Sequence, residues 1–382
     1  MPTELWIRLV IVVGVIVISG CVGSFLNVVI YRVPRGLSVN EPRRSFCPGC
    51  GATIPWWRNL PLVSWLQLRG QCAECGVKIP FRYWLVEAMT VVLALLIYQQ
   101  YVALDGRWAL AGVYWLFVVL LVAATFIDLE HYIIPHVITV GGMVAALVAS
   151  WLVGGMMGME AGWRAFLWAL AGGATGFAGL WLVVQLGQLA FGRVRHRFGE
   201  KGESWRLWQP EESEPPVFEL GEERHEWWDL FASRRDRLRL RCVGAKIDGR
   251  ELGAGEMVVG VEEVGWKGEG GEVERLALED VKELSGRAVE IVQPRVAMGF
   301  GDVMFLGMIG CFLGWQSILF TVLAGSVAGT LVALAGRLAG GQLWGRKLPF
   351  GPYLAFGALL WLFAGDEIVD WYFGLMRPVE VW

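Results

Sequence analysis

Charged residues are scarce in this sequence. Of its 382 residues only 18% are Asp, Glu, Lys or Arg, against roughly 25% in an ordinary soluble domain. The shortage argues against a soluble globular enzyme, a disordered chain and a secreted disulfide scaffold. The first apolar run, Leu5–Ile30, has neither the short hydrophobic core nor the small-residue cleavage site of a signal peptide. No Rossmann-type glycine-rich loop is visible either. What the chain has instead is apolar surface: 55% of its residues are hydrophobic, with 21 Trp and 50 Gly. The charge it does carry is concentrated, because residues 193–295 hold 18 Lys and Arg and 23 Asp and Glu out of 33 and 36 in the whole chain. The pattern is that of a membrane body interrupted by one water-soluble insert.

Apolar runs follow at 84–104, 108–127, 137–155, 165–190, 299–315, 318–336 and 350–365. With Leu5–Ile30 they predict an all-α polytopic membrane protein of about eight transmembrane helices. The expected divisions are a first span (1–30), a polar loop domain (31–83), spans two to five (84–192), the insert (193–295) and spans six to eight (296–382). Basic residues set the orientation. The loop carries Arg32, Arg35, Arg43, Arg44, Arg58, Arg69, Lys78 and Arg82 against Glu41 and Glu74, which predicts that it is cytoplasmic. Alternation then puts the insert inside and both termini outside.

Within the insert, 200–226 is acidic and proline-bearing like a linker, whereas Leu238–Val264 is strand-like. Lys246–Leu252 reads as a hairpin around Asp248-Gly249. Asp229–Leu240 and Asp280–Ile291 resemble each other weakly, as two copies of one small unit would. The insert is thus expected to be α+β or mostly β. No cofactor motif is visible there, and a regulatory or docking role is the expectation.

Four of the seven cysteines form two pairs, Cys47-Pro-Gly-Cys50-Gly and Cys72-Ala-Glu-Cys75-Gly. Each pair presents two sulfurs to one point, and together they make a closed four-cysteine site suited to structural Zn2+. Two disulfides are the alternative, disfavoured where cytoplasmic thiols stay reduced. Two carboxylates stand out at helix ends. Asp128 closes the third span, and Asp302 opens the sixth behind Gly299 and Gly301. Acids beside hydrocarbon are costly and usually functional, although each could simply mark a membrane boundary. The two glycines allow an irregular start and a close backbone approach, which suits a site receiving an extended peptide. Facing each other, the two acids would share one proton, one activating water and the other polarising a peptide carbonyl.

These residues resemble those of the bacterial prepilin peptidases (type IV leader peptidases), membrane aspartic proteases of the Gly-x-Gly-Asp type. The matching stretches are Gly23–Pro34, Ser45–Cys50, Asn59–Trp65, Arg82–Glu87, Ile127-Asp128 with Ile134-Pro135, Met298–Asp302 and Pro349–Tyr353. The resemblance implies removal of a short basic leader from type IV prepilins or type II secretion pseudopilins, after Gly and on the cytoplasmic side of the inner membrane. It further implies N-methylation of the new terminus from S-adenosylmethionine. It assigns catalysis to Asp128 and Asp302, associates Cys47, Cys50, Cys72 and Cys75 with the methyl-transfer region, and makes Glu87 a methyl-transfer candidate. Partners implied are prepilins or pseudopilins, the lipid bilayer and, for the insert, pilus or secretion machinery, with no nucleic acid. The sequence departs from the family at Trp84, His136 and Met304, and in carrying the insert. The competing readings are a peptidase without methyltransferase activity, a non-catalytic assembly factor, and a proton- or cation-relaying transporter.

Overall fold

The computed structural model describes residues 2–42, 45–191, 193–209, 216–221, 223–231, 236–294, 299–339 and 349–376. In chain order the helices are α1 (Pro2–Arg32), α2 (Val63–Gln67), α3 (Arg82–Ile97, continued by a π-helical turn Tyr98–Ala103), α4 (Trp108–His131), α5 (His136–Leu152) and α6 (Trp163–Phe191). A nine-stranded sheet with one short helix, α7 (Trp227–Leu230), comes next, followed by α8 (Phe300–Leu313), α9 (Gln316–Leu338) and α10 (Gly351–Met376). The chain separates into two units: Met1–Leu180 with Phe300–Trp382, and Trp181–Gly299. Arg43, Arg44 and Met298, which entered the sequence reading, lie outside the described residues.

The helical unit buries little of its apolar surface. Leu319, Leu323, Val327, Leu331 and Leu334 of α9 are all exposed, as lipid-facing side chains must be when the solvent is hydrocarbon. Among the described residues five helices are long and apolar enough to cross a bilayer, and His136–Leu152, Phe300–Leu313 and Gly351–Gly365 are apolar but shorter. The 14 residues of α8 reach about 21 Å at 1.5 Å each, short of the ~30 Å hydrocarbon layer. Its last turn is cut off by Gly314 at φ 82°. At the other end of the chain, helix continues to Met376 beyond the apolar run, with a break at Ala364 (φ −143°).

Every residue of α8 from Phe305 to Leu313 is buried, making it the centre of this unit. Phe312 stacks on Phe117 of α4 with ring centroids 4.6 Å apart. A Cβ on Gly172 of α6 would lie 2.2 Å from the Gly310 carbonyl oxygen. Only a glycine lets the two backbones pass so closely.

The second unit inverts this distribution. Its strands are β1 (Arg193–Arg197), β2 (Glu203–Trp208), β3 (Val217–Leu220), β4 (Glu223–Glu226), β5 (Leu238–Ile247), β6 (Arg250–Val259), β7 (Glu263–Gly268), β8 (Val273–Ala277) and β9 (Glu283–Pro294). They are antiparallel in the order β4-β3-β2-β9-β5-β6-β7-β8, with β1 pairing the far end of β9. One face is packed with Trp205, Phe218, Leu240, Met257, Trp266 and Leu284. The β5–β6 hairpin turns at Asp248 (φ 48°) and Gly249 (φ 83°) with Ile247 opposite Arg250, the two-residue loop that an Asp-Gly pair favours. The two segments with a weak internal resemblance both run into strands of this sheet. The strands they contain, β5 and β9, are neighbours in one sheet, with Leu240 opposite Ile291.

Candidate active site

Asp128 lies in the last turn of α4 and is 5% exposed. Its helix is closed by Tyr132 in the left-handed region (φ 56°), whose N–H donates to the Asp128 carbonyl at 2.9 Å. The carboxylate does not face water. Its Oδ2 accepts the N–H of Gly351, at 2.9 Å and 223 residues away in sequence. Gly351 is the first residue of α10, so the acid meets the positive end of a helix dipole. A Cβ on Gly351 would stand 2.6 Å from that oxygen and 3.0 Å from Ile134 Cδ1.

Asp302 stands in the first turn of α8 and is half-buried. The residue before it, Gly301, packs on the extended segment between α4 and α5: a Cβ there would lie 3.2 Å from Ile134 Cβ and 3.3 Å from both the Ile134 nitrogen and oxygen. Three chain segments therefore converge on Ile134, namely the end of α4, the start of α8 and the start of α10. Gly299 is exposed ahead of α8. Of the two nearby histidines, His131 Nε2 sits 3.4 Å from Arg35 Nη1. The His136 ring lies edge-on to Phe300, 5.9 Å between centroids.

The cysteines form a second constellation. In each pair the first cysteine's N–H and C=O close a tight turn: Cys47 N to Ala52 O at 2.9 Å and Gly51 N to Cys47 O at 2.8 Å, then Cys72 N to Val77 O at 2.8 Å and Gly76 N to Cys72 O at 2.9 Å. Gly51 and Gly76 share φ 71°, the left-handed conformation that turns N–H groups toward the sulfurs. The four Sγ atoms lie within 4.8 Å of one another, near enough to bind one metal ion. Electrostatics within the cluster is uneven. The Cys75 and Glu74 N–H groups draw the Cys72 thiol down to about 7. The Val77 N–H acts likewise on Cys75, but the Cys50, Cys72 and Cys47 sulfurs around it outweigh that and push it up to about 12.

Glu87 belongs with the cysteines and not with the aspartates. It and Cys47 and Cys72 line one cavity of about 210 Å3, together with Asn27, Trp65 and Tyr83. Its Oε2 accepts the Leu62 N–H at 2.7 Å. Leu62 is unusual: at φ 64°, ψ −40°, with Val63 N–H donating to Pro61 O at 2.7 Å, it centres a γ-turn of the strained φ-positive kind. Asn27 Nδ2 donates to the Tyr83 carbonyl at 3.0 Å, joining α1 to α3. Arg82 pairs with Glu130 at 2.8 Å, joining the start of α3 to the end of α4.

Sequence reasoning missed Gly351 and Leu62 as site residues. Gly351 stood within a matching stretch, but nothing local marks its N–H as a partner for Asp128. The Pro61-Leu62 step carries no sign of a positive φ.

Comparison with known proteins agrees with this division. The family model "Bacterial Peptidase A24 N-terminal domain" matches residues 17–101. The model "Type IV leader peptidase family" matches 115–195 and 288–334, leaving most of the sheet unit outside it. A prepilin leader peptidase/N-methyltransferase of Myxococcus xanthus (strain DK1622) is 41% identical over 186 residues, 48% of this chain and 51% of that protein. One from Aeromonas hydrophila is 25% identical over 381 residues, 94% of this chain and 92% of its own length. One from Neisseria gonorrhoeae is 35% identical over 196 residues, 45% of this chain and 64% of its own. No solved structure matches. With both models matched in order along the helical unit and relatives aligned along nearly the whole chain, this protein belongs to the type IV leader peptidase family.

Proposed function

We propose that the protein is an aspartic endopeptidase of the bacterial inner membrane that removes the leader of type IV prepilins or type II secretion pseudopilins and then methylates the new N-terminus. The observation that carries the peptidase reading is the convergence of Asp128, Gly301-Asp302 and Gly351 on Ile134. Two acids are thereby tied to one extended segment. In this reading the ionised member takes a proton from water as that water attacks the scissile carbonyl, and the protonated member donates to the carbonyl oxygen. The first carboxyl then gives the proton it took from water to the leaving amine, while the second takes its proton back from the diol as the C–N bond breaks and the carbonyl re-forms. Gly351 N–H holds Asp128 in place throughout. The three shorter apolar helices complete eight spans, the site faces the cytoplasm, and both termini lie outside.

The Cys47, Cys50, Cys72 and Cys75 sulfurs fit Zn2+. Cys47 and Cys75 Sγ are 3.8 Å apart, the spacing expected of about 2.3 Å Zn–S bonds in a tetrahedron. A closed four-sulfur site gives zinc a structural role, holding the loop that lines the Glu87 cavity. That cavity also suits a sulfonium: the Glu87 carboxylate and the Tyr83 and Trp65 rings complement a cation. S-adenosylmethionine bound there would supply the methyl group. Glu87 and Asn27 would orient it, and the Leu62 N–H would keep the Glu87 carboxylate in one rotamer.

The test is co-expression with a candidate prepilin, reading the pilin's mass for the wild type, Asp128→Asn and Asp302→Asn. Leader loss with the wild type and none with either variant, all three inserted in the membrane, is the expected result. An added methyl on the product establishes the second activity. Equal cleavage by all three overturns the dyad.

A further inference from the structure

The sheet unit is acidic overall, with 18 basic and 23 acidic residues over 193–295. One of its faces has the opposite sign. Opposed residues of antiparallel strands point to the same side of a sheet, so two rows can be followed across the strand pairings. The first runs Arg195–Val292–Arg239–Val258–Gly265–Arg275, through β1, β9, β5, β6, β7 and β8. The second runs Arg197–Glu290–Arg241–Glu256–Lys267–Val273 through the same strands. Arg193, opposite Pro294, extends the pattern by one step. All seven basic residues are exposed, while the alternate positions Leu240, Met257 and Trp266 are in the core. Only Glu290 and Glu256 oppose this charge in the two rows. Glu290 pairs with Arg195 and Arg197 at 3.1 and 3.3 Å. Arg239, Arg241, Lys267 and Arg275 make no ion pair among the described residues.

The face begins where the chain leaves the bilayer. Helix α6, read as a membrane span, ends at Phe191, and Arg193 opens β1 two residues later. At about 3.3 Å per strand residue, Arg195 and Arg197 lie within roughly 20 Å of the end of that helix. An acidic domain held that close to a negatively charged leaflet is repelled by it unless a basic surface turns toward the lipid. We propose that the outer face of β1, β9 and β5, continued on β6 to β8, docks on anionic phospholipid headgroups, so that the bilayer surface orients the insert. The proposal rests on the reading that α6 spans the membrane and not on the peptidase chemistry.

The test uses the full-length protein in nanodiscs of phosphatidylcholine alone or of phosphatidylcholine with one-quarter phosphatidylglycerol, both leaflets alike so that orientation does not enter. A fluorescent amino acid is incorporated by codon suppression in place of Val243, an exposed position on the same side of β5 as Arg239 and Arg241, so that no native cysteine carries the label. Its quenching by a headgroup-borne quencher is read. The expected result is quenching about threefold stronger in the anionic discs, lost in high salt as surface electrostatics must be. Arg239→Glu/Arg241→Glu, and separately Arg195→Glu/Arg197→Glu, should abolish the increment. Lys282→Glu, a single charge reversal just ahead of the start of β9 and half the charge change of each double variant, should retain it. Equal quenching in the two kinds of disc overturns the proposal and leaves the face to an acidic protein partner. An anionic-lipid effect that survives both double variants overturns it as well. Leader removal by each variant is followed in parallel, so a failure of the peptidase reading stays distinguishable.

Discussion

The two units of this chain use the same apolar side chains in opposite ways. In the sheet unit Leu240 and Met257 are fully buried, and the face beyond them is charged. In the helical unit Leu319, Leu323 and Leu331 are more than half exposed, and the buried positions include the polar Asn27, Thr90, Asp128 and Thr139. Water drives apolar groups inward by the cost of hydrating them. Hydrocarbon removes that drive, and what must be enclosed there is backbone and polar side chains. The lesson for function is that the helical unit's costly acids are held inside by specific partners, such as Gly351 for Asp128. The sheet's acids and bases lie on its surface, where water solvates them and their ion pairs alike.

The largest expected effect is at the enclosed acids. Asp128→Asn and Asp302→Asn should each lower leader removal by about 10³-fold or more, as loss of a general acid or base does, with the protein still inserted in the membrane. Gly351→Ala should reduce it by roughly 10²-fold, because a side chain 2.6 Å from Asp128 Oδ2 displaces the carboxylate by a fraction of an ångström. Steady-state cleavage of a synthetic prepilin peptide, at matched protein levels, measures both. Cys72→Ser should remove bound zinc, seen by elemental analysis of the purified protein, while leader removal falls less than methylation. An equal fall in both activities would mean that the two sites are not separate.

The sharpest test of the comparison itself sets Leu240→Ala against Leu331→Ala. The first leaves a cavity in a water-solvated core and should cost about 2–5 kcal/mol of the sheet unit's stability. The second, at a position 59% exposed to lipid, should stay within about 0.5 kcal/mol. With the protein in nanodiscs, denaturant titration followed by limited proteolysis of the insert reads the first, and the loss of helical circular dichroism in the same titration reads the second. The smallest effect should come from Glu74→Gln. Its 2.7 Å pair with Arg58 is exposed on both sides, and such pairs contribute no more than about 1 kcal/mol.

Much of this was legible in the residues because it is local. The apolar runs mark helices, five of them among the described residues long enough to cross a bilayer, since a helix satisfies its own backbone wherever the side chains are lipophilic. The Cys-x-x-Cys-Gly spacing builds the same turn twice, and Asp248-Gly249 makes its hairpin, each within a few bonds. The exact reach of the helices was harder to read. Hydropathy ends near Gly365, yet α10 continues to Met376 because hydrogen bonding does not stop where hydrophobicity does. The placement of Glu87 beside the cysteines, and the basic face of the sheet, were not readable at all. The arginines of β1 and β5 are some forty residues apart and form one surface only through β9.

The sequence by itself determined that the chain carries helices apolar enough to cross a membrane, that four sulfurs form two knuckles, and that Asp128 and Asp302 stand at the ends of apolar runs. Only the tertiary structure decided what Asp128 touches. Its partner is a backbone N–H across 223 residues. Every non-proline residue carries that same group, so no side chain announces it, and helix packing alone selects the one that meets the carboxylate.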